Sequence, residues 1–429
     1  MERLIQPRVL KGFRDYLPSA EITRASLIEQ LTAVFRAHGF VPIDTPALEY
    51  AEILLRKSDG ETEKQVFRFQ DNGGRDVALR FDLTVPFARF VAEHAAELTF
   101  PFKRYHIAKV WRGEKPQAGR FREFMQCDFD LVGSESASAD FDILSLMHAA
   151  LAQIGASNAT IRLSHRGAFN DFLTKLGVSD RSENILRAVD KLTKIGRNEV
   201  YTLLAGITGS DTHAAQILSY ITACGSYDET LAHMASFARA DSAGIARLRE
   251  LRELMQAAGI AGSFVLDPSV TRGLDYYTGV VFETFLNGLP EIGSVCSGGR
   301  YDNLSSLYTK ERLPGVGASV GLDRLIAALE QLGALKPARG FLDALVFCTD
   351  SACAAQEQSA AAKLRQIGVS CEVFPYAKRM SAQYEYAEKK GIPFGIFVQA
   401  DGNLTIKNLA TREQTEHLAP KQAAGIIKS

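Results

Sequence analysis

The chain has 429 residues, 46% of them hydrophobic and 23% charged, with a formal net charge of -1. That length gives room for two to four domains and a sizeable core. The near-neutral balance excludes a globally basic nucleic-acid binder, so an RNA partner has to be met by local patches. The six cysteines form no C-x-x-C pair and do not cluster with histidines at zinc spacing, so no zinc module is expected. The chain opens with no signal peptide and holds no apolar run long enough to span a bilayer. The cytoplasm is therefore the expected compartment.

In chain order, Lys11–Pro18 (KGFRDYLP) reads as a loop with a proline stop. A helix follows, with Leu27, Ile28, Leu31 and Phe35 on one stripe and an end at Gly39. GFVPIDTPALEY carries β-branched residues with Pro46, which suits the end of an edge strand. Asp71-Asn72-Gly73-Gly74 is a turn between two strand-like runs. Leu79–Phe81 is strand, and Thr84 is placed to cap a helix with Pro86 in its first turn. Asp82 then sits at a strand-to-helix corner, either as a ligand-binding carboxylate or as a second cap.

Lys103–Gly133 reads as a long β-hairpin. Met125, Cys127, Phe129 and Leu131 fall on one face of the returning strand, with Arg122, Phe124, Gln126, Asp128 and Asp130 on the other. Cys127 therefore reads as packing. The connecting loop Gly113–Gly119 is long for a hairpin and is flanked by Arg112, Arg120 and Arg122. Fixed guanidinium forks around a flexible loop suit a polyphosphate; a solvated basic hairpin has the same composition.

Residues 141–175 begin helical, with His165 read as structural, and 176–258 are rich in Ala, Leu and charge at helical spacing. Residues 265–305 return to strand, with Gly298-Gly299 where backbone must approach a ligand or a neighbouring strand closely. Gly315–Leu329 starts glycine-rich and becomes a helix with Leu322, Leu325, Ile326 and Leu329 buried. After the linker 333–342, strands and helices alternate, which implies a small, mostly parallel α/β module.

These segments resemble the histidyl-tRNA synthetase family of class II aminoacyl-tRNA synthetases over nearly the whole chain. Arg112-x-Glu114, a loop, then Arg120-x-x-x-Phe124 resembles class II motif 2; GFVPIDTPALEY resembles motif 1; Gly315–Leu329 with Arg324 resembles motif 3. KGFRDYLP and the text from Arg272 to Tyr277 resemble segments peculiar to this family and its close paralogues. The resemblance implies an α+β fold, with an antiparallel catalytic sheet over residues 1–332, a helical insertion at 176–258 and a C-terminal anticodon-binding domain at 343–429. It implies ligation of L-histidine to tRNA(His) through a histidyl-adenylate, with ATP and Mg2+. Arg112 and Arg272 would be catalytic. ATP would be held by Arg112, Glu114, Arg120, Phe124 and Arg324. Histidine would be held by Asp82, Leu83, Thr84, Arg112, Gln126, Asp130, Arg272, Tyr276 and Tyr277. Neutral imidazole donates from one ring nitrogen and accepts at the other, which suits Asp130 as acceptor and the Tyr277 hydroxyl as donor. The resemblance also implies a homodimer through the motif 1 region and contact of the insertion with the tRNA acceptor arm. No metal motif is supplied by the protein itself.

Some positions depart from the family's common pattern. Asp82-Leu83-Thr84 stands where many bacterial members have Glu-Gly-Thr, and Asp130 where many have Glu. Gly113 and Lys115 alter the motif 2 loop, which puts its usual tRNA contacts in doubt. A non-catalytic paralogue, the regulatory subunit of ATP phosphoribosyltransferase, shares the implied fold. It typically loses catalytic arginines and the C-terminal domain, both of which this chain retains.

Overall fold

A computed structural model describes residues 4–55, 63–117, 119–239, 241–271, 276–336 and 340–429. The described chain forms two compact units, one of Met1–Asp15 and Leu27–Leu335, the other of Tyr16–Ser26 and Lys336–Ser429.

The first unit is built on an eight-stranded sheet. In chain order its strands and their neighbours are β1 (Val41–Pro42), β2 (Leu48–Tyr50), β3 (Arg68–Gln70), β4 (Asp76–Leu79), β5 (Phe102–Trp111), β6 (Glu123–Val132), β7 (Ala159–His165), β8 (Phe264–Leu266), β9 (Val280–Leu286), β10 (Cys296–Tyr301) and β11 (Gly315–Gly321). The sheet order is β1-β5-β6-β11-β10-β9-β7-β8. Its outer pairs β1–β5 and β7–β8 are parallel; the pairs between them are antiparallel. The hairpin β5–β6 forms as alternation dictates. Cys127, Phe129 and Leu131 enter the core beside Phe35 and Phe40, while Gln126, Asp128 and Asp130 face the other way. β2, β4 and β3 make a separate small sheet. The β3–β4 turn is tied by Asp71 Oδ1, which accepts from the amides of Gly73 and Arg75, with Gly74 at a φ of 75°.

Between β7 and β8 the described residues from Ser182 to Ala257 form helices without strands. Their apolar stripes, such as Ile185, Val189, Val200 and Leu204, join the same core as the sheet's inner face. The last two of these helices, Tyr227–Phe237 and Ala243–Ala257, are linked by the buried Tyr227 hydroxyl, which donates to the Leu248 carbonyl at 2.8 Å. Burial raises the Tyr227 pKa, which keeps that hydroxyl protonated. Tyr227→Phe is expected to cost about 1 kcal/mol of stability, read as a lower denaturant midpoint at unchanged slope.

The second unit's sheet runs β13-β12-β14-β15-β16, with β12 Ala344–Val346, β13 Cys371–Val373, β14 Phe394–Val398, β15 Leu404–Asn408 and β16 Gln414–Leu418. β12 pairs in parallel with β13 and β14, while β14–β15 and β15–β16 are antiparallel. The sheet is thus mixed, not mostly parallel. The alternation of strand and helix ends at β14, and two tight turns then add hairpin-connected strands. The helix Ala354–Gln366 and the closing helix Pro420–Lys428 bury Ala360, Leu364, Ala423 and Ile427 against Ile396 and Ile406.

Among the described residues no helix is long and apolar enough to cross a membrane.

Candidate active site

The polar face of β5–β6 continues across β11 and β10 in the same sheet, beside the corner before the helix Thr84–Glu93. Two adjoining cavities open here. One, of ≈130 Å³, is walled by Arg112, Glu114, Arg120, Phe124 and Arg324. The other, of ≈310 Å³, is walled by Asp82, Thr84, Gln126, Tyr276, Tyr277 and Glu283. Arg112, Arg120, Gln126 and Arg324 belong to both. A third cavity of ≈590 Å³ continues from Arg120, Glu283 and Ser294 to Asp190 and Lys194 on the helical segment.

Arg112 follows the end of β5. Its amide donates to the Arg122 carbonyl and its Nε to the Phe81 carbonyl at 3.1 Å. The guanidinium lies 4.3 Å from the Phe81 ring centroid and 5.2 Å from that of Phe124. A cation between two ring faces is held in orientation without losing its charge to a carboxylate. Arg324 leaves the first turn of the helix Leu322–Gln331 and donates to the Ser294 carbonyl at 2.6 Å. Its neighbour Asp323 accepts from the Met125 amide at 2.6 Å and from Arg14 at 3.1 Å, which locks this helix onto β6 and the N-terminal segment. Arg122 does not join the cavities. Its Nε donates to the Glu114 carbonyl and its NH1 to the Lys11 carbonyl, so it braces the loop from behind.

Asp82 is 5% exposed, and its Oδ1 accepts from the amides of Thr84 and Val85. Leu83 holds the N-cap position without a side-chain bond, so the Asp82 carboxylate satisfies the first amides in its place; Thr84, expected to cap, is the helix's first residue. Burial pushes the Asp82 pKa up, while those two amides and Arg112 pull it down. Leu83 is fully buried and offers the cavities no side chain; its carbonyl accepts from Arg104 at 3.4 Å. Tyr276 and Tyr277 meet edge to face at 4.9 Å, and Tyr276 bonds to Thr84.

Asp130 lies one layer deeper. Its carboxylate is 2.7 Å from Arg104 NH2 and accepts from the Tyr301 hydroxyl at 2.5 Å. Arg104 and Asp130 are directly opposed across the hairpin, and both are almost wholly buried. Burial raises the Asp130 pKa; Arg104 and Tyr301 oppose the rise. Gly317 lies opposite Asp130 on β11, and a Cβ built there would overlap the Asp130 carboxylate and crowd the Phe129 carbonyl. The glycine is thus required by close approach, not by turn geometry. Arg300, after Gly298-Gly299, turns away from the cavities to pair with the buried Asp140 at 2.7 Å.

Arg272 falls outside the described residues. Sequence reasoning missed Glu283 on β9, Ser294 just before β10, Ser297 on β10 and Ser319 on β11, which line the ≈310 Å³ cavity. The available signal was Glu283, a carboxylate inside the apolar run VVFETF.

The antiparallel sheet, its long hairpin and the arginine on the closing helix together make the class II aminoacyl-tRNA synthetase fold. A family model for histidyl-tRNA synthetase matches residues 12–325, and one for an anticodon binding domain matches residues 343–429. The chain is 58% identical over 407 residues to a histidine--tRNA ligase of Treponema denticola, covering 94% of this chain and 91% of that protein. It is 46% identical over 424 residues to one of Rhodopirellula baltica, with 96% of each covered. A crystal structure of histidyl-tRNA synthetase from Nostoc sp. PCC 7120 superposes with a TM-score of 0.87 at 30% identity and 99% coverage of both chains. The chain belongs to the histidyl-tRNA synthetase family.

Proposed function

We propose that the protein ligates L-histidine to tRNA(His), using ATP and a histidyl-adenylate intermediate. The observation that carries this reading is the sharing of Arg112 between an arginine- and Phe-walled cavity and an acid- and tyrosine-walled one. A nucleotide in the first and an amino acid in the second would meet at that residue. Phe124 and Arg324 would hold adenine, and Arg120 and Arg324 the outer phosphates. Arg112 and Arg272 would hold the α-phosphate and the histidine carboxylate. Asp82, Thr84 and Gln126 would take the α-ammonium. Asp130 and Tyr277 would read the imidazole.

The histidine carboxylate is already a nucleophile, so the first step needs positioning and charge neutralisation more than proton transfer. Once adenylate has formed, the terminal ribose hydroxyl of the tRNA attacks the acyl carbon. The third cavity, which leads from Arg120 to Lys194, would receive the acceptor end, and the second unit the anticodon. Glu114 and Glu283 are carboxylates in the cavity walls, and they suit a Mg2+ carried mainly by phosphate oxygens. Mg2+ would neutralise charge on the departing pyrophosphate. Exposed Val41, Leu48 and Tyr50 in the motif 1 segment support a homodimer formed there. The cytoplasm, where tRNA is charged, is the proposed compartment.

ATP–pyrophosphate exchange with a panel of amino acids tests the reading. Histidine alone is expected to support exchange. Equal exchange with another amino acid would overturn it.

A further inference from the structure

We propose that Asp128 and Ser319 are positioning residues that fix the Gln126 side chain with its carbonyl oxygen turned toward the α-ammonium of the substrate. The proposal deepens the histidine reading above and rests on it. Asp128 and Ser319 are directly opposed in the β6–β11 pairing, and Gln126 lies two residues before Asp128 on the same face. The Ser319 hydroxyl stands close enough to the Asp128 carboxylate to lower its pKa. Gln126 Nε2 donates to Ser319 Oγ at 2.8 Å.

The direction of this chain follows from a count of protons. An ionised carboxylate can only accept, and a hydroxyl has one proton to give. A Ser319 hydroxyl directed at the Asp128 carboxylate leaves its oxygen free to accept the bond from Gln126. Gln126 can supply that bond only from its amide NH2. Its Oε1 is then turned away, buried and without a hydrogen-bond partner among the described residues. A buried carbonyl in that condition is costly until a donor arrives. Gln126 lines the same cavity as Asp82, so the two together present acceptors to one ammonium group.

The relay also has a setting with the opposite outcome. A protonated Asp128 donates to Ser319 Oγ, the serine hydroxyl then donates a hydrogen bond to Gln126 Oε1, and the amide turns its NH2 toward the ammonium. Burial pushes the Asp128 carboxyl up to about 7. Arg104 on β5 lowers it, while Asp130 beside it and Asp82 from the helix corner raise it. His106 is its partner across the hairpin, and Arg80, Tyr277 and Cys296 also feel its charge. Because the ammonium-binding setting needs the ionised form, affinity for histidine is lost as pH falls through about 7.

The test measures dissociation constants for L-histidine and for 3-(imidazol-4-yl)propionate, which keeps the ring and carboxylate but lacks the ammonium. Ser319→Ala and Asp128→Asn are expected to weaken histidine about 10- to 100-fold and the propionate less than about threefold. Ser319→Thr, which keeps the hydroxyl, is expected to bind both ligands as the wild type does. The α-ammonium makes the imidazole of histidine less basic than that of the propionate, so the ratio carries a ligand contribution that is common to every variant. Relative to Asp128→Asn, the wild-type ratio is expected to shift against histidine below about pH 7. Equal weakening of both ligands, or of neither, would overturn the relay. If the wild-type protein binds no histidine at all, the reading of its function falls, and the relay with it.

Discussion

Replacing Arg112 with alanine is expected to reduce ATP–pyrophosphate exchange with histidine by about two to three orders of magnitude. Arg112 is one of three arginines common to both cavities, and the rings of Phe81 and Phe124 flank it. A displacement at phosphorus gathers charge where nucleotide and carboxylate meet, and a fixed guanidinium in a water-poor site opposes that charge without reorganising. Its Nε bond to the Phe81 carbonyl sets the orientation but contributes little to folding, so Arg112→Ala should unfold close to the wild-type temperature. Lysine at this position keeps a charge but loses the planar fork and the stacking, so it should restore little. Exchange within tenfold of wild type in a folded Arg112→Ala protein would remove this residue from the chemistry.

Asp130→Ala is expected to raise the histidine KM by about two to three orders of magnitude while leaving the KM for ATP nearly unchanged. The carboxylate is held by Arg104 and Tyr301, away from the walls of the nucleotide cavity, so its loss should be felt by the imidazole and not by adenine. A second effect comes with the first. Arg104 is completely buried, and removing its counter-charge leaves an uncompensated cation, which costs about 3–5 kcal/mol of stability. Binding constants therefore have to be taken well below the lowered melting temperature. Tyr301→Phe deletes one hydrogen bond and spares the ion pair, so its effect on KM should be nearer tenfold. A folded Asp130→Ala enzyme with an ordinary histidine KM would show that Asp130 serves Arg104 and nothing else.

Much of the first unit was legible because its central hairpin is long and strictly alternating. Period-two patterning over ten residues of β6 leaves no second register that buries Cys127, Phe129 and Leu131 together. The helical segment after β7 was legible for the complementary reason, apolar residues at helical spacing with no strand alternation. What escaped was mostly cross-strand. Asp130 was visible as a polar residue on a polar face, but its pairing with Arg104 depends on the hairpin's register, which a seven-residue loop does not announce. Ser319, Ser297 and Glu283 come from three strands far apart in sequence, and small hydroxyls carry no periodic signal. Asp82 was read correctly as standing at a corner. Whether it caps or binds could not be separated, because the same carboxylate bonds two helix amides and faces the cavity. In the second unit the strand at Asn403–Asn408 was legible and forms as β15, whereas β16 was missed because it is almost wholly exposed and lacks an apolar face.

Gly317 bears on how this pocket tolerates change. Its backbone lies where the Asp130 carboxylate already stands, and that carboxylate is pinned from two other sides. The vacancy at its α-carbon is therefore what lets the Asp130 carboxylate keep its place between Arg104 and Tyr301. An alanine survey, which works by subtraction, would add bulk here and produce the phenotype of a lost acid with every acid still present. A side chain at position 317 meets not only that carboxylate but the Phe129 backbone carbonyl at 2.9 Å, so changing Asp130, Arg104 and Tyr301 together does not by itself make room for one. On the assignment of Asp130 to the imidazole proposed above, the strand pairing would tie the choice of substrate to a residue that does not touch it.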